Sequence, residues 1–120
     1  MSIELKRLDF IGSSRDDLKE FPDEVKQEIG HALHEVQMGI KPTEAKPLKG
    51  FGGAGVLEII ENFVGDTYRA VYTVKFAKVI YVLHCFQKKS KRGIKTPQHE
   101  IELIKQRLKL AEELYKFDHT

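Results

Sequence analysis

A chain of 120 residues has room for one compact domain with a single hydrophobic core. Its 41% hydrophobic and 32% charged residues exclude a disordered chain, and a membrane span would need about 20 apolar residues in a row. The net charge of +2 conceals a gradient: residues 1–40 carry 5 positive and 9 negative side chains, residues 41–95 carry 11 and 4, and residues 96–120 carry 4 and 5.

In chain order, Met1 to Leu8 alternates charged and apolar residues and reads as a short strand. It lacks the apolar stretch of a secretory signal, so the expected location is cytoplasmic with no membrane partner. Gly12 ends the strand, and Ser13 or Ser14 caps a short helix through Asp16 and Asp17. Pro22 restarts the helix, Asp23 and Glu24 suit its positive dipole end, and Val25, Ile29, Leu33 and Val36 recur on one face to about Gly39. Glycines and prolines then make residues 39–55 a long connection, a kind of loop that is usually functional.

Val56 to Asn62, Thr67 to Lys75 and Val79 to Lys88 are rich in Val, Ile, Tyr and Phe and read as strands. Gly65-Asp66 and Phe76 to Lys78 are the right length for hairpins, which makes the three an antiparallel meander. The tract Lys88 to Lys95 carries five cations and no anion. Thr96 as cap and Pro97 as first residue open a last helix whose apolar face (Ile101, Ile104, Leu108, Ala111) runs to about residue 116. The expected fold is α+β in the order β-α-α-β-β-β-α, one domain over residues 1–120, with the helices on one face of an antiparallel sheet. Tyr68, Ala70, Tyr72 and Val74 then form the core side of their strand, with Arg69, Val71, Thr73 and Lys75 on the other. Cys85 is the only cysteine, which excludes an internal disulfide and suits a small buried residue in a strand.

No phosphate-binding glycine loop, zinc helix, Cys-x-x-Cys pair or nucleophile elbow occurs. Gly52-Gly53-Ala54-Gly55 precedes a strand, whereas a dinucleotide fingerprint follows one. His31 and His34 lack a third ligand, so no metal or cofactor is expected. The strongest signal is Arg69 in one strand with Lys88, Lys89, Lys91, Arg92 and Lys95 at the end of its neighbour. Such a cluster is either a solubilising turn or a rim that holds phosphates. Tyr68, Tyr72 and Phe86 interleave with it and serve either as core or as stacking surfaces for bases.

Several of these segments form a series. Gly55-Val56-Leu57-Glu58-Ile59, Asp66-Thr67-Tyr68-Arg69-Ala70-Val71-Tyr72 and Val82-Leu83-His84-Cys85-Phe86-Gln87-Lys88-Lys89-Ser90 are followed by Lys95-Thr96-Pro97, Glu100-Ile101 and Arg107-Leu108. With Leu48-Lys49-Gly50 in the long loop, they resemble the RelE/ParE toxin superfamily, specifically its phage-derived HigB-like branch. The resemblance implies a toxin of a type II toxin-antitoxin pair that enters the ribosome and cuts mRNA by attack of the RNA 2′-hydroxyl on the adjacent phosphate. Its partners would be the ribosome, mRNA and a cognate helix-turn-helix antitoxin.

Carried over residue by residue, Arg69 matches the arginine that stabilises the phosphate, and Lys88 and Lys89 match basic positions that bind phosphate or protonate the leaving oxygen. Lys49, Lys75, Lys91, Arg92 and Lys95 would grip the nucleic-acid backbone. Leu57 and Ile60 stand where many relatives carry Trp and Arg. No tyrosine lies early in the last helix, where some relatives use one as a base; that region offers His99 and Glu100 instead, and His84 is the other candidate. A gyrase-inhibiting toxin of the ParE kind, or an inactive prophage-derived binding protein, would share the same fold.

Overall fold

Hairpin chemistry sets the centre of the sheet. The computed structural model describes residues 4–53, 55–88 and 96–119. In it β3 (Val56–Phe63) and β4 (Asp66–Thr73) are joined by Val64 and Gly65, with φ of 49° and 80°. This is the two-residue turn whose twist matches that of the strands it joins. The turn sits one residue earlier than the sequence suggests. β5 (Val79–Lys88) pairs antiparallel with β4, so the meander forms as expected.

Two strands extend the meander. β2 (Ala45–Pro47) arises inside the long loop and pairs antiparallel with β3, and β1 (Arg7–Phe10) pairs parallel with β5. The sheet is therefore mixed, with five strands in the order β1-β5-β4-β3-β2, and the expected all-antiparallel sheet is corrected at β1. Three residues in an extended stretch around Pro47 offer too short a pattern for the sequence to mark β2.

The helices are α1 (Ser14–Lys19), α2 (Asp23–Gln37) and α3 (Gln98–Asp118), and they do not share one face. Val25, Ile29, Ala32, Leu33 and Val36 of α2 pack with Ile59, Tyr68, Ala70, Tyr72, Ile80, Val82 and Cys85. Ile104, Leu108 and Ala111 of α3 pack with Val56, Val71, Val79, Tyr81, Leu83 and Phe86. These sets alternate along the strands, so α2 covers one side and α3 the other. The expected open face is thus closed by α3. The continuous apolar run of β5 signals burial on both sides, as in a central strand. Tyr68, Ala70 and Tyr72 are core as expected, but Val71 and Thr73 are equally buried, and Val74 is 41% exposed.

A bulge adjusts the register between β4 and β5. Val71 faces His84 and Tyr72 faces Val82, which leaves Leu83 as the extra residue. Leu83 and His84 thereby both reach the α3 layer. No helix among the described residues is long and apolar enough to cross a membrane.

Candidate nucleic-acid site

The side of the sheet under α3 carries charge inside its apolar layer. Directly paired residues point to the same face, and the registers Glu58↔Val71, Val71↔His84, Arg69↔Phe86 and Thr67↔Lys88 place Glu58, Arg69, His84 and Lys88 together on that face. All four are less than 9% exposed. Such burial is stable only where the charges are paired.

Glu58 supplies the pairing for Arg69. Arg69 Nη1 donates to Glu58 Oε2 at 3.0 Å, and Lys46 Nζ, on the adjacent edge strand β2, stands 4.0 Å from Glu58 Oε1. Lys46 is 51% exposed whereas Glu58 and Arg69 are 4% exposed at their side chains, so Glu58 connects a buried arginine to a surface lysine. The Lys88 ammonium is held below the usual lysine range, first by burial and then by Arg69. Lys46 acts in the same direction and Glu58 opposes it. Three cations and one carboxylate thus share one field, with an excess of positive charge.

Beside this group lies a cavity of about 380 Å³ between β2, the loop after it and the first turns of α3. Glu58 forms part of its wall, Pro47, Leu48 and Ile101 give it apolar sides, and Lys46, Lys49 and Lys105 ring it. Gly50, with φ of 95°, turns the loop at its edge. A concave, partly apolar space with a few converging charges is the usual form of a ligand site.

His84 is held differently. Arg107 Nη1 lies 3.3 Å from His84 Nδ1, and His84 Nε2 lies 3.0 Å from Glu100 Oε1. A guanidinium only donates, so Nδ1 is the acceptor and Nε2 carries the proton, which it donates to Glu100. Arg107 also donates to the carbonyl of Leu83 and to Ser13 Oγ, each at 3.0 Å. Gly12 makes room for it: a Cβ there would stand 2.9 Å from Arg107 Nε. Both ring nitrogens of His84 are thus engaged, and His84 fixes Glu100 at the head of α3.

Of the residues expected from sequence, Arg69, Lys88 and His84 lie together on this face, and Lys49 lines the cavity. His99 is exposed in the first turn of α3, with Nε2 3.8 Å from the Glu100 carboxylate. Lys75 lies beyond the opposite end of β4, paired with Glu112 at 3.2 Å and 5.8 Å from the Phe76 ring centroid, so it is not brought to the cavity. Lys89, Lys91, Arg92 and Lys95 lie outside the described residues. Tyr68 and Tyr72 are core, and Phe86 stacks on His84 at 4.9 Å.

Sequence reasoning offered Glu100 beside His99 at the head of the last helix, and passed over Glu58, Lys46, Lys105 and Arg107 as functional positions. Glu58 left a signal: a single acid inside Val56-Leu57-Glu58-Ile59-Ile60, on a strand otherwise bound for a core. Lys46 and Lys105 left none, because they meet only once β2 and α3 are placed.

Comparison with known proteins gives the fold a context. A chain of an E. coli RelE toxin double mutant, solved in the free state, is similar at 22% identity over 68% of this chain and 81% of that one, with a TM-score of 0.53. A chain of the RelBE2 toxin-antitoxin complex from Mycobacterium tuberculosis is similar at 18% identity over 70% of this chain and 99% of that one, with a TM-score of 0.49. Among curated proteins no sequence matches significantly. The family model described as "Phage derived protein Gp49-like" matches residues 16–109. That span holds α2, the whole meander and most of α3, with every charged residue of the buried group, and it shows that the chain belongs to the phage-derived Gp49-like family, with a RelE-type toxin fold.

Proposed function

We propose that this protein is the toxin of a type II toxin-antitoxin pair and that it cuts mRNA on the ribosome, neutralised by a cognate helix-turn-helix antitoxin. The observation that carries the reading is the buried Arg69, held by Glu58, which itself forms part of the wall of a lysine-ringed recess. A fixed guanidinium beside a low-polarity surface is what a phosphate gaining charge in a transition state requires.

In the proposed reaction the 2′-hydroxyl loses its proton and attacks the adjacent phosphorus. The bond to the 5′-oxygen breaks, and the products are a 2′,3′-cyclic phosphate and a 5′-hydroxyl. Arg69 takes the extra negative charge on the phosphate oxygens. Lys88, whose ammonium gives up its proton more readily than an ordinary lysine, protonates the departing 5′-oxygen. His99, exposed on α3 with Nε2 3.8 Å from Glu100 Oε1, accepts the 2′-hydroxyl proton. His84 positions Glu100 and does not itself take a proton from substrate, because Arg107 faces its only acceptor nitrogen.

Induction of the wild-type chain without antitoxin is expected to arrest growth and create new mRNA 5′ ends. Arg69→Lys retains a buried cation but loses the fork, and cleavage should fall by roughly 10²- to 10³-fold, read by 5′-end mapping on translating ribosomes. Intact mRNA in cells that accumulate folded wild-type protein would overturn the reading. DNA damage induction in those cells would replace it with the gyrase-directed one.

A further inference from the structure

We propose that the cavity beside Glu58 is a nucleotide pocket selective for guanine. The proposal deepens the reading of this face as an RNA site, and rests on it for the substrate class. Its basis is the combination of one buried acceptor, an adjacent donor and apolar walls within a space of about 380 Å³. That volume falls near the lower end of ligand pockets, about 300–1,000 Å³, and suits a single nucleotide.

An ionised carboxylate only accepts hydrogen bonds, and its two oxygens offer about four lone-pair sites. Glu58 uses Oε2 to hold Arg69 at 3.0 Å, and turns Oε1 toward Lys46 at 4.0 Å. Glu58 and Lys46 both line the cavity, which sets a carboxylate acceptor beside an ammonium donor in its wall. On the base-pairing edge of guanine, N1–H and the 2-amino group are adjacent donors, and O6 is an acceptor beside them. Glu58 matches the two donors and Lys46 matches O6.

Adenine and cytosine each present only one amino donor beside a ring acceptor. Uracil has one N–H between two carbonyls, which a buried carboxylate repels. Pro47, Leu48 and Ile101 cover the base plane, and Lys49 and Lys105 at the rim meet its phosphate. Single-stranded RNA is recognised in this manner, with a splayed base read on its pairing edge.

The test is calorimetric titration of the purified chain with 5′-GMP, 5′-IMP, 5′-AMP and 5′-UMP at one fixed salt concentration. GMP should bind tightest. IMP, which lacks the 2-amino group, should bind about 10-fold more weakly, and UMP about 100-fold more weakly. Lys46→Ala, at a half-exposed position, should weaken GMP and IMP equally, whereas Glu58→Gln should abolish the difference between them. If Glu58→Gln does not fold, the GMP-to-IMP ratio in the unaltered protein decides the matter. Equal binding of GMP, IMP and UMP, or binding of none, would overturn the pocket. Cleavage of mRNA together with equal nucleotide binding would leave the nuclease reading standing without the pocket, and selective GMP binding without cleavage would do the reverse.

Discussion

The two sides of the sheet solve burial in different ways. Under α2 the layer is almost wholly apolar, with Ile29, Ala32, Ile59, Ala70, Ile80 and Val82 all fully buried, and its acids, Glu28, Glu44 and Glu61, gather at the margin with ligand atoms within 4.8 Å of one another. Under α3 the same strands bury Glu58, Arg69, His84 and Lys88 among the apolar residues. A fold that needed only stability would favour the first solution, since well-packed apolar groups commonly equal or exceed a buried ion pair in stability. The α3 side therefore carries the candidate site, and the α2 side is apolar support.

The sharpest way to break this comparison is a double-mutant cycle. Arg69→Met leaves Glu58 buried without its guanidinium and is expected to cost about 3–5 kcal/mol, as is Glu58→Leu alone. The double variant Glu58→Leu/Arg69→Met should recover most of that loss in denaturant unfolding, while cleavage stays abolished. Additive losses would show that the pair is a structural element like those on the α2 side.

A smaller effect, of opposite sign, lies at the hairpin that both sides share. Val64 is β-branched, 85% exposed and held at a φ of 49°, a conformation that Asn adopts at lower cost than Val. Val64→Asn is expected to stabilise by about 1 kcal/mol, a rise of about 4 °C in thermal unfolding. Cleavage should be unchanged, because the turn lies away from the cavity. An unchanged or lower melting temperature would contradict the turn geometry.

The same contrast explains what was legible in the sequence. Helical spacing marked α2 and α3 to within about two residues, and β-branched runs marked the meander. Cys85, read as a small buried residue, is 2% exposed, and burial pushes its thiol up to about 12. Arg69 and Lys88 stood out because a strand arginine combines with a run of cations at the end of the neighbouring strand. The placement of α3 opposite α2 was not legible, because an amphipathic helix specifies that it must cover a sheet and not which side. The cavity was not legible either: its wall comes from β3, and its rim from β2, a loop and α3, segments that meet only in the folded chain.

The smallest expected effect tests the α2 margin. Burial raises the Glu61 carboxyl above the ordinary range, and Glu44 and Glu28 add to the shift. A carboxyl with a raised folded-state pKa favours the native state while protonated. That contribution is complete below the ordinary carboxylate pKa and is lost as pH rises through the higher folded value. Glu61→Gln removes the penalty at neutral pH. Solvent screening at this partly exposed margin limits the gain to a few tenths of a kcal/mol, a rise of about 1–3 °C. The melting difference between variant and wild type should be near zero below about pH 4 and grow through the carboxylate range to a plateau by neutrality. It should shrink with added salt. A difference independent of pH would mean that the substitution acts through packing, and that the margin under α2 stores no charge repulsion to set against the paired charges under α3.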